Sequence, residues 1–413
     1  MNFLFRFFVI VTFVNTLLSL STVNASTFYV SPFGNDLHSG SIHQPWKTLQ
    51  HAANLAQPGS VTKVAAGIYQ PFSIKRSGKI NNEIVFIADN AKIDASKISK
   101  NKDGIKILNA NYITIQGFEI RNAQRAGISA VNCKNITLES NLLTHNKVWG
   151  VFTGFCSKLT ISNNITAYSG QQHGIYVSNT SEGIVINNNS VHNNQRSGIQ
   201  LNGDRHMGGT GIISHAKIYN NTVYNNGTKG GAAINLDGVQ YSHIFNNLLY
   251  NNTATGIAIY QDDGGEGSSF NQIIHNTVIM PDNGRWCALF KKSSHNSFLN
   301  NVCVSYHKNK GAISIDNTSL EHFNSDYNAL SSKFTLDDGK NISTFSSWVS
   351  VTENDRHSIK VDSIAELFKV NLKNFTPTKN SPLKQNALSI KEYNMDLNGK
   401  IRLILPSIGA IDH

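Results

Sequence analysis

The chain has 413 residues, of which 40% are hydrophobic and 15% charged, with 31 Gly and 8 Pro; a disordered chain carries more charge and a collagen needs Gly at every third position, so both classes are excluded. Lys and Arg number 36 against 26 Asp and Glu, a formal charge of +10, which suits an anionic partner such as nucleic acid, a membrane surface or an acidic polysaccharide. No Lys/Arg run exceeds two residues, which argues against the first two.

Residues 1–25 read as a secretory signal peptide. They hold a single charge, Arg6, an apolar stretch from Phe7 to Val14 and a small-residue cleavage signal, Val23-Asn24-Ala25. The apolar stretch falls short of the about 20 residues that span a bilayer, and no other segment is long enough. The expected mature protein is secreted, extracellular or periplasmic, with its four cysteines in an oxidising compartment. Residues 26–100 are read as an N-terminal cap and first coils. Within them Pro45–Pro58 sets Trp46, Leu49, Ala53 and Ala56 on one helical face ahead of Gly59, the pattern of a helix that covers an open core end.

From residue 101 to 319 the chain repeats itself. Gly127-Ile128-Ser129-Ala130, Gly150-Val151-Phe152-Thr153, Gly174-Ile175-Tyr176-Val177 and Gly198-Ile199-Gln200-Leu201 follow at steps of 23, 24 and 24 residues. The pattern resumes at Ala233, Gly256, Cys287 and Ala312 after steps of 35, 23, 31 and 25. A second series, Asn141, Asn164, Asn189, Asn221, Asn247, Asn276 and Asn301, runs in phase with it. Short β-branched strands separated by Asn and Gly turns at this period predict an all-β, single-stranded parallel β-helix, each coil one turn of the solenoid. The Asn series is expected at tight turns, its amides bonded from coil to coil. Cys133 and Cys156 each lie six residues beyond their repeat glycine, so they are expected on adjacent coils within disulfide reach. Cys287 and Cys303 are expected free and buried. Residues 320–413 read as degenerate last coils and a C-terminal cap, with a short helix around Trp348.

Several segments bear a resemblance to known proteins. They are Phe28-Tyr29-Val30-Ser31-Pro32-Phe33-Gly34-Asn35-Asp36, Gln44-Pro45-Trp46-Lys47-Thr48-Leu49-Gln50-His51-Ala52, Ala66-Gly67-Ile68-Tyr69, Asn380-Ser381-Pro382-Leu383 and Ile408-Gly409-Ala410-Ile411-Asp412. In these the chain resembles the right-handed parallel β-helix proteins of the pectate-lyase superfamily. The resemblance covers nearly the whole mature chain and implies the right-handed fold. Its chemistry spans lyases of pectin, alginate and chondroitin, uronan epimerases, hydrolases and binding proteins. No catalytic string of one subfamily matches, so no catalytic residue is carried over.

The residues supply their own candidates. In each Gly-Ile-x-Ile strand the alternate positions face outward. One outward row is Ser129, Phe152, Tyr176, Gln200, Asn235, Ala258, Leu289 and Ser314; a second is Val131, Gly154, Ser178, Asn202, Asp237, Tyr260, Lys291 and Asp316. Polar and ionisable types concentrate between Tyr176 and Lys291. Cleavage of a uronan by β-elimination needs its carboxylate neutralised, a base for the adjacent proton and an acid for the departing oxygen. Lys291, His173, Tyr176 and Tyr260 are the candidates for proton transfer, with Lys292 and Arg285 expected to depress Lys291. Gln200, Asn202, Arg205, Asn235 and Arg285 are the candidates for gripping substrate. Asp204, Asp237, Asp262 and Asp263, beside Glu266, are candidate ligands for Ca2+. The expected partner is an acidic polysaccharide, the expected state a monomer, and the expected activity that of a polysaccharide lyase. A glycoside hydrolase or uronan epimerase on the same fold, and a noncatalytic carbohydrate-binding or surface protein, are the alternatives.

Overall fold

The computed structural model describes residues 26–96, 102–369 and 375–413; the expected signal peptide lies outside them. Among the described residues no helix is long and apolar enough to cross a membrane.

Isoleucine and valine alternate with polar residues along short segments, and each segment pairs in parallel with its counterpart one coil later. The stack through the Gly-Ile-x-Ile strands is continuous. Ile128 is level with Val151, Val151 with Ile175, Ile175 with Ile199, Ile199 with Ile234, Ile234 with Ile257, Ile257 with Ala288 and Ala288 with Ile313. All are at most 1% exposed, so the inward row is a column of apolar side chains, each Ile or Val worth about 1.5–3 kcal/mol on burial. Among the described residues the strands form a 24-stranded and a 12-stranded parallel sheet. Ala126–Glu139 and Trp149–Ser162 are long enough to run along two faces of the solenoid, which joins those faces into the larger sheet. We call the face through residues 175–178 and 234–237 the groove face.

The expected asparagine ladder is present. Asn141, Asn164, Asn189, Asn221, Asn247, Asn276 and Asn301 each donate Nδ2 to Oδ1 of the next, and the series continues to Asn328, at 2.9–3.3 Å. One detail differs from expectation. The left-handed residue is not the ladder asparagine but its predecessor: Asn163, Asn188, Asn220, Asn246 and Asn300 have φ between 54° and 58°. The predecessor makes the turn, leaving the ladder side chain to point inward and bond its neighbours.

The two ends are closed differently. At the start, α1 is shorter than predicted, Leu49–Leu55, capped by Thr48, whose hydroxyl accepts from the His51 backbone N–H. It buries Leu49, Ala52 and Ala53, and Trp46 stacks on Phe28 at 4.7 Å. At the other end α2, Phe345–Thr352, sets Trp348 against Phe334 at 4.9 Å, and the indole N–H donates to Asp355 at 2.8 Å. Coil pairing ends where Ile359–Lys360 joins Ala329–Leu330. The described remainder of the chain, 361–369 and 375–413, is not a further coil. It lies along the 12-stranded sheet, where Val361, Leu367, Phe368, Phe375, Leu383, Ile408 and Ala410 pack with Leu248, Ile279, Val302 and Val304. On the later coils the outward positions carry Leu248, Ile279, Val302 and Val304, and the tail covers them.

Cys133 and Cys156 are level in register and form a disulfide, while Cys287 and Cys303 are free and buried, all as expected.

Candidate active site

The expected outward rows are real rows. Tyr176, Gln200, Asn235, Ala258 and Leu289 are level on successive rungs, as are Ser178, Asn202, Asp237, Tyr260 and Lys291. At about 4.8 Å per rung the five rungs span about 19 Å.

These side chains are linked into one polar network. Gln200 Oε1 accepts from Ser197 Oγ at 3.0 Å and from Asn235 Nδ2 at 2.6 Å, and the same Asn235 amide donates to the Tyr260 phenol oxygen at 2.9 Å. Gln200 Nε2 reaches Asn202 Oδ1 at 3.3 Å, and Asn202 Nδ2 reaches Asp263 at 3.4 Å. Gln200, Asn202 and Asn235 are 5–7% exposed. Burial, with Asp237 adding to it, pushes the Tyr260 phenol up to about 12. Burial also raises Tyr176, and Asp204, Asp263 and Asp237 act on it in the same direction. Both phenols therefore keep their protons at neutral pH.

Asp237 is engaged by the backbone of the next coil. Its carboxylate accepts the backbone N–H groups of Asp262 and Gly264 on Oδ1 (2.9 and 3.1 Å) and of Asp263 on Oδ2 (2.9 Å). Burial raises its pKa against those three donors, with the Asp263 charge adding to the rise. It thus anchors the turn after Tyr260. Asp204 caps its own short turn through the His206 N–H at 2.8 Å, and Asp262 and Asp263 are exposed. The four aspartates do not bring three ligand atoms within 4.8 Å of one another. The most buried of the four carboxylates, Asp237, is the one that accepts these backbone N–H groups.

The turn and the insertion pack backbone to backbone. Gly238, at φ +64°, would place a Cβ 2.8 Å from the Gly264 Cα, a contact only glycine permits. Arg205 donates its backbone N–H to Asp263 O at 3.1 Å, while its exposed side chain meets His206 at 3.4 Å. The insertion therefore does border the rows.

Lys291 sits at the far end of the second row, its Nζ 2.9 Å from Asp338. The neighbours expected to act on it stand elsewhere. Arg285 precedes the strand that Lys291 ends, so the two lie at its opposite ends, and Arg285 instead adds to burial in lowering Lys310. Lys292 is in a left-handed turn, its N–H donated to Asp316. His173 is buried at the corner before Gly174. Its Nδ1 accepts from the Ser197 N–H at 3.1 Å, which leaves the ring proton on Nε2. Burial, helped by Arg196, drives the imidazole down to about 3.

An aromatic wall extends the site beyond the candidates read from sequence. Trp149 stacks on Phe152 at 4.7 Å, Phe152 lies 5.6 Å from Tyr176, and Tyr176 lies 5.2 Å from His173. The Arg125 guanidinium, paired with Asp103, sits 5.5 Å from the Phe152 ring. Trp149 shares with His173 the place just before the repeat glycine, a signal the spacing contains. Asp338 follows no repeat and left no such signal.

Two family descriptions match the chain: the Pel9A-like right-handed β-helix region over residues 28–170 and the right-handed β-helix region over 163–326. No curated protein matches. Among solved structures, pectate lyase Pel9A superposes with a TM-score of 0.62 at 15% identity, covering 94% of this chain and 97% of its own. XylC in complex with xylose gives 0.54 at 10% identity, over 93% and 98%. Together with the parallel coils described above, these matches place the chain among the right-handed parallel β-helix proteins, with the pectate-lyase-like fold.

Proposed function

We propose that the protein is a secreted enzyme that cleaves an acidic, uronate-containing polysaccharide by β-elimination. The observation that carries this reading is the registered row of Asn202, Asp237, Tyr260 and Lys291, flanked by Tyr176, Gln200 and Asn235 and ending on an aromatic wall. A row about 19 Å long presents one side chain per rung to an extended chain of a few sugars, and Tyr176 with Phe152 offers apolar surface to sugar rings. That Pel9A, of the same fold, is a pectate lyase agrees with it.

Each step then falls to a named group. Amides of Asn202, Gln200 and Asn235, with Arg205 on the bordering insertion, hold the substrate carboxylate. Lys291 is the base. Its Nζ stands 2.9 Å from Asp338 at rest. The neutral amine takes the proton next to the carboxylate, the electron pair becomes the new carbon–carbon double bond, and the bond to the glycosidic oxygen breaks. Tyr260, its oxygen already accepting from Asn235, gives its proton to that oxygen. His173, neutral and fixed by Ser197, positions the neighbouring ring of Tyr176. No step is routed through a metal.

Hydrolysis is the second reading, favoured by one observation: Asn202, in the row, reaches the Asp263 carboxylate at 3.4 Å, so a carboxylate borders the same groove. The deciding experiment is digestion of a panel of uronans, with and without chelator, following the ultraviolet absorbance of the unsaturated product and the release of reducing ends. Both signals rising together support elimination. Reducing ends without the chromophore mean hydrolysis, a changed uronate configuration without cleavage means epimerisation, and binding without turnover means a carbohydrate-binding protein.

A further inference from the structure

Four residues beyond Lys291 the chain leaves the groove face at a corner, and the corner residues of successive coils stack along the outside of the solenoid. His215, Tyr241, Phe270, His295 and His322 have φ between 50° and 60°, so each projects from its coil in the same sense. Their ring centroids are 5.8, 4.9, 4.6 and 4.5 Å apart in that order. The first three rings lie nearly parallel, at 16° and 5°, and so present edges rather than faces to solvent. That part of the stack reads as packing.

The last pair differs in chemistry. Two imidazoles replace carbocyclic rings, they tilt by 37°, and Glu321 stands beside them. Each of His295, Glu321 and His322 has a ligand atom within 4.8 Å of the others', and among the described residues no other group of three such side chains does so. Two features hold the group in place. The His295 N–H donates to the Glu321 carbonyl at 2.9 Å, locking the two coils in register, and Ser294 Oγ meets His295 Nδ1 at 2.8 Å. A partner on Nδ1 orients the ring and leaves Nε2 as the ligand. His295 is half-buried, and Glu321 and His322 are exposed, so an ion reaches the group without unfolding.

We propose that His295, Glu321 and His322 bind a zinc ion at this outer corner, separate from the groove. Two imidazole nitrogens and one carboxylate oxygen are the three-ligand set that zinc takes, with water in the fourth place. The mixed nitrogen and oxygen set disfavours calcium, which takes oxygen ligands throughout. A bound ion would tie two adjacent coils together across the corner.

The test is calorimetric titration of the full mature chain, purified without a histidine tag and freed of metal by chelator, with zinc chloride at neutral pH. One zinc per chain is expected, with calcium chloride neither binding there nor competing. His295→Phe and His322→Phe keep a stacked ring, as Phe270 does at the same corner, and remove the imidazole. Each is expected to weaken zinc binding by at least about tenfold, with the metal-free circular dichroism unchanged. Glu321→Gln is expected to weaken it less. Absence of saturable zinc binding overturns the proposal, and so does unchanged affinity in the His295→Phe/His322→Phe double variant.

Discussion

Asn235 Nδ2 stands 2.9 Å from the Tyr260 phenol oxygen and donates as well to Gln200 Oε1, one rung back, at 2.6 Å. A single amide thus ties three rungs of the groove and aims the phenol proton away from the sheet. Replacing it by alanine removes the donor from two poorly exposed acceptors. Asn235→Ala is expected to cost about 1–3 kcal/mol in stability, measured by urea unfolding, and to lower kcat more than it raises KM. Unchanged stability would mean that water replaces the amide freely.

The ion pair of Lys291 with Asp338 makes the catalytic proposal specific. Lys291→Ala should reduce turnover of the cleaved uronan by about 10²–10⁴-fold, with substrate binding largely kept. Asp338→Asn removes the partner that holds Lys291 Nζ at rest and should change kcat by less than Lys291→Ala does. Full turnover in Lys291→Ala would transfer the base role to another group in the row.

His173 gives the stability a pH dependence whose sign is determined by burial. The folded imidazole is driven from 6.5 to about 3, whereas the unfolded one titrates near its ordinary value. Between those values the unfolded chain binds the proton and the folded chain does not, so stability falls as pH falls through that window. The slope is at most about 1.4 kcal/mol per pH unit for one group. His275, also buried and lowered, acts in the same direction. In His173→Gln the loss of stability between about pH 7 and about pH 5 should be shallower than in the native chain, as thermal unfolding across that range would reveal. Equal slopes would place the charged imidazole within reach of solvent.

The asparagine ladder should be costly to interrupt. Asn221 donates to Ile186 O, Tyr219 O and Asn247 Oδ1, and its own Oδ1 accepts from the Asn189 backbone and side chain. Asn221→Ala leaves several of these buried groups unpaired, at about 1–3 kcal/mol each, so a loss above about 3 kcal/mol is expected in denaturant unfolding. Asn141→Ala breaks the series at its end, where only one neighbouring coil supplies a ladder amide, and should cost less.

Much of the fold was legible because a β-helix writes the same local rule on every coil. An apolar residue at every second place must face the core, and a slip of one residue would turn each column outward. The spacing from Gly127 to Ala312 therefore carried the register of the rows, and with it the meeting of Cys133 with Cys156 and the alignment of Tyr176, Gln200 and Asn235. The sequence by itself determined the solenoid, its ladder and the register of the outward rows.

What it could not determine lies where no coil repeats its neighbour. Asp338 reaches Lys291 from an aperiodic loop, Arg285 stands before the strand that Lys291 ends, and Asp237 accepts the backbone N–H groups of Asp262, Asp263 and Gly264. Residues 320–413 read as degenerate last coils and a cap, but their sequence does not say which face the cap takes: Val361, Leu367, Phe368, Phe375 and Ile408 cover a sheet face made apolar by Leu248, Ile279 and Val302. Each of these depends on which surface an irregular segment covers. That choice is made by burial of area and pairing of charge in three dimensions, and only the tertiary structure decides it.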